Sequence, residues 1–311
     1  MNKLPDTILI TGAGGVLGRE LVEQLIKKEK CHIITLELTK ENFPLDFFHN
    51  DRIECYDNRD WKDGRLPWDK IDVVVHSAFA RSSNGRLLAA SLEFTKELFT
   101  QAVENNVSSI INISSQSVYG RSQPPLWTEK TPVSPEPPDT LYALAKYASE
   151  LLALSICNTR NSKTAVTNLR LASLSGRGMD ERLTSRFVKS ALEGKPIKLI
   201  GGKQTMAYMD VRDAADGIIA LMSTDTSKWK NVYNFGNQFR HSIKEIAETV
   251  ARISKKYTTN PVKIEIEYKD VHLDTGMDST LFYTDANWTP KHDLESMIDW
   301  IFSHYTKKDE D

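Results

Sequence analysis

The 311-residue sequence predicts an α/β fold built on a doubly wound parallel sheet. Three observations carry that expectation. Short β-branched runs alternate with longer helix-period stretches through the first half of the chain. The runs Val73-Val74-Val75 and Ile110-Ile111-Asn112-Ile113 are apolar nearly throughout, as strands covered by helices on both faces must be. A glycine-rich turn, Thr11-Gly12-Ala13-Gly14-Gly15-Val16-Leu17-Gly18, joins the first strand to the first helix.

Taken in order, strands are expected at Thr7–Thr11, His32–Glu37, Ile53–Tyr56, Asp72–His76 and Ser109–Ser115. Helices are expected near Val16–Lys28, Leu87–Asn105 and Leu141–Cys157. The second half is less regular, with helices at Arg182–Glu193, Asp213–Ser223, Ser242–Lys255 and Leu294–His304 and short strands at Val166–Leu171, Val232–Phe235 and Lys263–Tyr268. Gln123–Asp139, with six prolines, reads as a loop, and Lys307–Asp311 as a charged, frayed end. The expected organisation is a Rossmann-type sheet over residues 1–170, with later segments returning to it. A smaller C-terminal α/β substrate lobe is drawn mainly from residues 171–311.

Composition narrows the function classes. Forty Lys and Arg against 42 Asp and Glu leave a net charge of -2, without the basic footprint of a nucleic-acid binder or a membrane-surface protein. No run approaches the roughly 20 apolar residues of a membrane span, and the opening segment passes at once into strand and glycine loop rather than a signal peptide. A cytoplasmic location is therefore expected. Cys31, Cys55 and Cys157 are odd in number and far apart, and His241, His272, His292 and His304 lack metal-ligand spacing. Buried reduced thiols are expected, with no disulfide framework and no metal site.

The glycine turn has the spacing Gly-x-x-Gly-x-x-Gly at Gly12, Gly15 and Gly18, with Val16 and Leu17 completing it. Glycines there permit a tight turn, close approach of backbone to a pyrophosphate and close packing of helix on strand. The helix N-terminus offers free N–H groups to the phosphates. Glu37, 25 residues past Gly12, is placed to accept from an adenosine ribose and to repel a 2′-phosphate, which favours NAD over NADP. Asp57, ending the third strand, suits the adenine edge. Farther on, Tyr142 and Lys146 stand one helical turn apart on one face. A tyrosine titrates near 10, so it serves as a base only where a neighbouring cation favours the phenolate; Lys146 and a nicotinamide ring are the expected sources. Ser115, at the end of the fifth strand, can donate to a developing alkoxide or ketone oxygen.

In this order the motifs resemble the extended short-chain dehydrogenase/reductases, the branch of nucleotide-sugar epimerases, dehydratases and ketoreductases. The resemblance runs almost end to end: Val75-His76-Ser77-Ala78-Phe79-Ala80, Ser114 to Gly120, Tyr142 with Lys146, Leu169-Arg170-Leu171 before Gly176-Arg177-Gly178, Val211-Arg212-Asp213, Tyr233-Asn234-Phe235-Gly236 and Asn287-Trp288-Thr289-Pro290. It implies Ser115, Tyr142 and Lys146 as the catalytic set. It implies NAD held by Gly12, Gly15, Val16, Leu17, Gly18, Glu37 and Asp57, by Ser77, Ala78 and Phe79, and by Tyr142 and Lys146.

Dehydratases of that family carry Thr-Asp-Glu where this chain has Ser115-Gln116-Ser117, and the related decarboxylases keep a glutamate there. The resemblance therefore implies an epimerase that oxidises and re-reduces C4 of a nucleotide sugar. The rival is a ketoreductase or dehydrogenase of a sugar, uronic acid or polyol, and a third class is a non-catalytic NAD-binding sensor or scaffold. Met206 stands where family members commonly place a diphosphate-binding Arg, Ser173 where an Asn is frequent, and Tyr268-Lys269-Asp270 replaces Arg-Pro-Gly-Asp. Arg177, Arg182, Arg186, Lys203 and Arg212 can supply replacement charge or stand as solvated surface. Gln116, Ser117, Ser173, Arg177, Arg186 and Arg212 are the candidate substrate contacts. Trp61, Trp68 and Trp127 are expected to pack under loops, and His76 to make structural hydrogen bonds. The helices bearing Leu98 and Leu151 have wide apolar faces, part of them core, and because such helices form a dimer bundle in similar proteins the resemblance implies a homodimer.

Overall fold

The computed structural model describes residues 4–28, 30–121, 126–159 and 162–307. Part of the proline-rich loop (123–125) and most of the charged tail (308–311) lie outside the described residues. The first half runs β1 (Thr7–Thr11), α1 (Val16–Lys28), β2 (His32–Leu36), β3 (Ile53–Tyr56), α2 (Asn58–Lys62), β4 (Val73–His76), α3 (Gly85–Glu104), β5 (Ser109–Ser115), α4 (Thr140–Cys157) and β6 (Ala165–Leu171). The second runs β7 (Ser173–Ser175), α5 (Leu183–Leu192), β8 (Ile197–Ile200), β9 (Thr205–Met206), β10 (Tyr208–Asp210), α6 (Val211–Met222), β11 (Val232–Phe235), β12 (His241–Ser242), α7 (Ile243–Ile253), β13 (Ile264–Glu267), α8 (Thr280–Ala286) and α9 (Leu294–Lys307).

Seven parallel strands form the main sheet in the order β11-β6-β5-β4-β1-β2-β3. The chain works outward from β1 through β2 and β3, then returns to lay β4 on the other side of β1, with Thr11 opposite His76. That reversal opens a crevice at the carboxyl ends of β1 and β4, where doubly wound sheets bind their ligands. All seven residues of β5 are buried, because helices cover both faces of the sheet. On one face α1 packs with α6 over Leu21, Val22, Ile218 and Ile219; on the other, α3 packs with α4 over Leu98, Phe99 and Ala153. Late segments rejoin the sheet: β11 pairs with β6, and Asp213 in the first turn of α6 accepts from the backbone N–H groups of Lys291 and His292.

A separate core gathers α5, α7 and α9 through Phe187, Val188, Ile246, Val250, Ile298 and Phe302. Beside it β8 and β13 pair in parallel, their exposed residues alternating as one-sided strands require. The elements that sequence periodicity did not indicate are the short ones: α2, α8 and the two- or three-residue strands β7, β9, β10 and β12. Segments that short contain too few periods to read. Trp127 is buried and stacked on Tyr119, and Trp61 packs edge-on against Trp68 and Phe94. Cys31 and Cys157 are buried, and Cys55 is half-buried. Among the described residues no helix is long and apolar enough to cross a membrane, and no cluster of ligating side chains could hold a metal.

Candidate active site

The glycine turn owes its shape to contacts that exclude side chains. Gly12 has φ +74°, and a Cβ on it would lie 2.8 Å from the Ala78 nitrogen; a Cβ on Gly18 would fall 2.2 Å from the Gly12 carbonyl oxygen. The loop after β4 is drawn onto this turn by two hydrogen bonds: Ser77 Oγ donates to the Thr11 carbonyl (2.7 Å) and the Ala78 N–H to Thr11 Oγ1 (3.3 Å). His76 is fully buried beneath, its ring nitrogens bridging Thr11 Oγ1 (2.8 Å) and Thr95 Oγ1 (2.9 Å), and burial lowers its pKa to about 3, so it stays neutral. The resulting cradle, glycine backbone at the N-terminus of α1, fits the pyrophosphate of a dinucleotide.

Above the turn lies a cavity of about 370 Å³. Its floor and near wall include Gly12, Gly15, Val16, Leu17, Gly18, Ser77 and Phe79. Its far wall brings Ser115, Gln116, Ser117, Tyr142, Lys146 and Ser173 together from three separate elements and their flanks. Ser115 ends β5 and caps the short turn after it, accepting from the Ser117 N–H (3.1 Å). Gln116 Nε2 donates to Ser173 Oγ (2.9 Å), while Gln116 Oε1 is buried without a partner.

The electrostatics of Tyr142 depart from expectation. Burial pushes its phenol up, and the opposing pulls come from Arg81, the Ser115 hydroxyl and, last, Arg182. The Arg81 guanidinium carbon stands 5.3 Å from the centre of the Tyr142 ring. Helix spacing assigns that pull to a nicotinamide ring and to Lys146. Its Nζ instead donates to the Ile113 carbonyl (2.7 Å) and lies 4.0 Å above the Phe79 ring. Burial lowers Lys146 to about 7, against the pull of Glu150 one turn later. Glu150 is itself held by Ser114 Oγ (2.5 Å) and by a forked Arg170, whose other nitrogen donates to Tyr119 (2.8 Å). That buried network underlies α4.

Several candidates stand elsewhere. Glu37 sits beside the glycine turn, where its Oε1 accepts from the Gly14 N–H (2.6 Å). Asp57 caps α2, accepting from the Arg59 and Asp60 N–H groups (2.8 and 3.1 Å), and faces a separate open hollow. Arg177 and Arg212 clasp the indole of Trp300 at 4.5 and 4.2 Å, and Arg212 is also forked onto Asp210. Arg186 is exposed on α5. These three arginines are not among the residues that line the cavity. Arg182, one of the replacement charges weighed from sequence, lines it, as does Met206. Arg81 escaped the sequence reading because a lone arginine in a loop has no period or motif; its place just after Ala80, in the segment behind β4, was the available signal.

Residues 8–236 match the NAD dependent epimerase/dehydratase family. The dTDP-glucose 4,6-dehydratase of Streptomyces griseus is 26% identical over 318 aligned residues, covering 96% of this chain and 94% of the relative. The uncharacterized UDP-glucose epimerase YtcB of Bacillus subtilis is 25% identical, covering 96% and 98%. A solved dTDP-glucose 4,6-dehydratase of Bacillus anthracis, in complex with NAD, shares the fold at a TM-score of 0.80 and 20% identity, covering 98% of this chain and 97% of that one. The family match spans most of the sheet and the whole glycine turn, and the chain belongs to the family of NAD-dependent epimerases and dehydratases.

Proposed function

We infer that the protein is a nucleotide-sugar epimerase that inverts C4 through a transient 4-keto sugar, with Ser115, Tyr142 and Lys146 as its working groups. The observation that carries this reading is the far wall of the cavity: a tyrosine and a serine able to move one proton, with no carboxylate at positions 116 and 117. Elimination of water needs further acid–base groups, and Gln116 and Ser117 cannot ionise to supply them. NAD, when bound, supplies the hydride acceptor and donor. The glycine cradle, Glu37, Ser77 and Phe79 are the residues to hold it.

The chain's own part is proton transfer. Tyr142, as phenolate, takes the proton of the C4 hydroxyl as the carbon loses its hydride, and returns it when the opposite face is reduced. Ser115 donates to the oxygen between the two steps. Arg81 and Ser115 oppose, without overcoming, the burial that raises the phenol. Lys146, fixed by the Ile113 carbonyl and Phe79, is positioned for the nicotinamide ribose.

Purified protein incubated with UDP-glucose, UDP-galactose or their uronic acids is expected to yield the C4 epimer at unchanged mass, read by NMR and mass spectrometry. A product lighter by water or carbon dioxide would overturn the reading. Met206, where a diphosphate-binding Arg is common, favours a second reading: a single-hydride dehydrogenase acting on a free sugar or uronic acid. That reading gains if the protein is purified without dinucleotide and forms NADH from a free sugar.

A further inference from the structure

Lys146 is placed to serve a cofactor and yet is closed off from it. It belongs to the lining of the cavity, but only 4% of its surface is exposed. An ammonium has three N–H donors. Among the described residues its Nζ has one hydrogen-bond acceptor, the Ile113 carbonyl at 2.7 Å. What stands over the rest of the ammonium is the ring of Phe79, its centre 4.0 Å from Nζ. The same ring meets Tyr142 edge-on, with centroids 6.4 Å apart. Phe79, itself half-buried, also lines the cavity. One aromatic side chain therefore touches both the lysine and the tyrosine from the side on which a ligand enters.

The backbone on either side of Phe79 is tied down. The Ala78 N–H donates to Thr11 Oγ1 (3.3 Å) and the Ala80 N–H to Ser91 Oγ (3.1 Å). The loop is thus fixed, and the freedom that remains at position 79 is rotation of the side chain between staggered positions. Holding the ring over the ammonium is a cation–π contact, which is attractive but modest. The ring face satisfies none of the remaining N–H groups with a lone pair, whereas the hydroxyl oxygens of a ribose can. A ligand that brings such oxygens therefore has reason to displace the ring, and the ring has reason to return when the ligand leaves.

We propose that Phe79 is a gate on Lys146: its ring covers the ammonium until a dinucleotide enters, and turns aside as the ribose hydroxyls of the nicotinamide half take the uncommitted N–H groups. This rests on the reading of Lys146 as the partner of that ribose. The glycine turn, made of backbone, lies outside the exchange, so the adenosine half of a dinucleotide can dock before the gate opens.

Two measurements on protein stripped of cofactor test the gate. The first is titration calorimetry with NAD and with ADP, which has the adenosine and pyrophosphate but no second ribose. Burial lowers Lys146 to about 7, so the titrations are run at pH 6, where the ammonium keeps its proton. Phe79→Ala removes the contact that NAD must displace and should bind NAD roughly 2- to 30-fold tighter, with ADP unchanged. Phe79→Tyr keeps a ring face and should behave as the wild type. The second measurement is acetylation by acetic anhydride at pH 8, followed at Lys146 by mass spectrometry. Lys146 should label faster in Phe79→Ala than in the wild type, and NAD should protect it in both. Equal labelling of the two proteins, NAD affinity that is unchanged or weaker in Phe79→Ala, or an equal gain for NAD and ADP overturns the proposal. Lys146→Gln separates the gate from the reading beneath it. Unchanged NAD affinity in that variant, alongside faster labelling of Lys146 in Phe79→Ala, would strike the ribose role of Lys146 and leave the ring as its cover.

Discussion

The two walls of the cleft are specified in different ways. The cofactor wall is chiefly backbone: a turn of glycines whose shape is set by the absence of Cβ atoms, lying on the N-terminus of α1 and closed by Ser77, Ala78 and Phe79. The substrate wall is side chains, delivered by the loop after β4, the end of β5, α4, β7, the turn before α5 and β9. One wall is local and recognises what every dinucleotide shares. The other is assembled by the whole fold, and there the family's different reactions must be separated.

Tyr142→Phe should break the comparison hardest. Loss of a positioned acid–base group predicts a fall in kcat of about 10²–10⁴-fold, while NAD bound after purification stays unchanged because the cradle is untouched. Quantifying dinucleotide released on denaturation, beside initial rates, reads both walls in one preparation; loss of NAD together with activity would mean that they are not separable. The same phenol sharpens the picture through pH. Its pKa is raised, so the oxidation rate of the wild type should climb on the alkaline side. Arg81 favours the phenolate, so Arg81→Gln should carry that limb to higher pH.

Beneath both walls runs the Glu150–Arg170 pair. Arg170→Met leaves Glu150 as an uncompensated charge in the core, a change that costs about 3–5 kcal/mol, measurable by urea unfolding. Pairing it with Glu150→Met removes the stranded charge and should recover most of the loss. No recovery would show that Arg170 matters through Tyr119 and Asn234 rather than through the carboxylate. Gly18→Ala acts on the near wall alone. Its methyl would meet the Gly12 carbonyl at 2.2 Å, and overpacking of this kind costs about 1–3 kcal/mol. NAD affinity should fall with it, whereas Gly15→Ala, with 3.2 Å to the same oxygen, should be milder on both measures.

The difference between the walls also explains what could be read from the sequence. Strands β1 and β5 and helix α1 were legible to the residue, since continuous apolar runs and a glycine turn leave few alternatives. Ser115, Tyr142 and Lys146 were legible as types at fixed spacing, and the fold brings all three to one cavity. The electrostatic partner of Tyr142 was not, because Arg81 is 61 positions away in sequence and meets it only through the loop after β4. Asp57 illustrates a competing local use: the residue after a strand that can face an adenine is equally a helix cap, and here its side chain closes a capping box with Asp60. Among the arginines, sequence offered no means of sorting Arg182 from Arg177, since the sorting depends on where Trp300 packs.

That sorting gives the smallest expected effect and the finest test of where the substrate wall ends. Arg177 lies five residues before Arg182, yet it faces the opposite way, stacked on Trp300 and bonded to Ser303 Oγ at 3.0 Å. Arg177→Gln gives up a partly exposed cation–π contact of about 0.5–1 kcal/mol, so a small drop in melting temperature is expected with KM unchanged. Arg182→Gln should do the reverse, moving KM for the substrate and leaving stability nearly as it was, because removing its charge relieves repulsion from Arg81. If Arg177→Gln raised KM as much as Arg182→Gln, the wall would have to extend past Gly176 toward α9, and Trp300 would belong to the cleft rather than to the packing behind it.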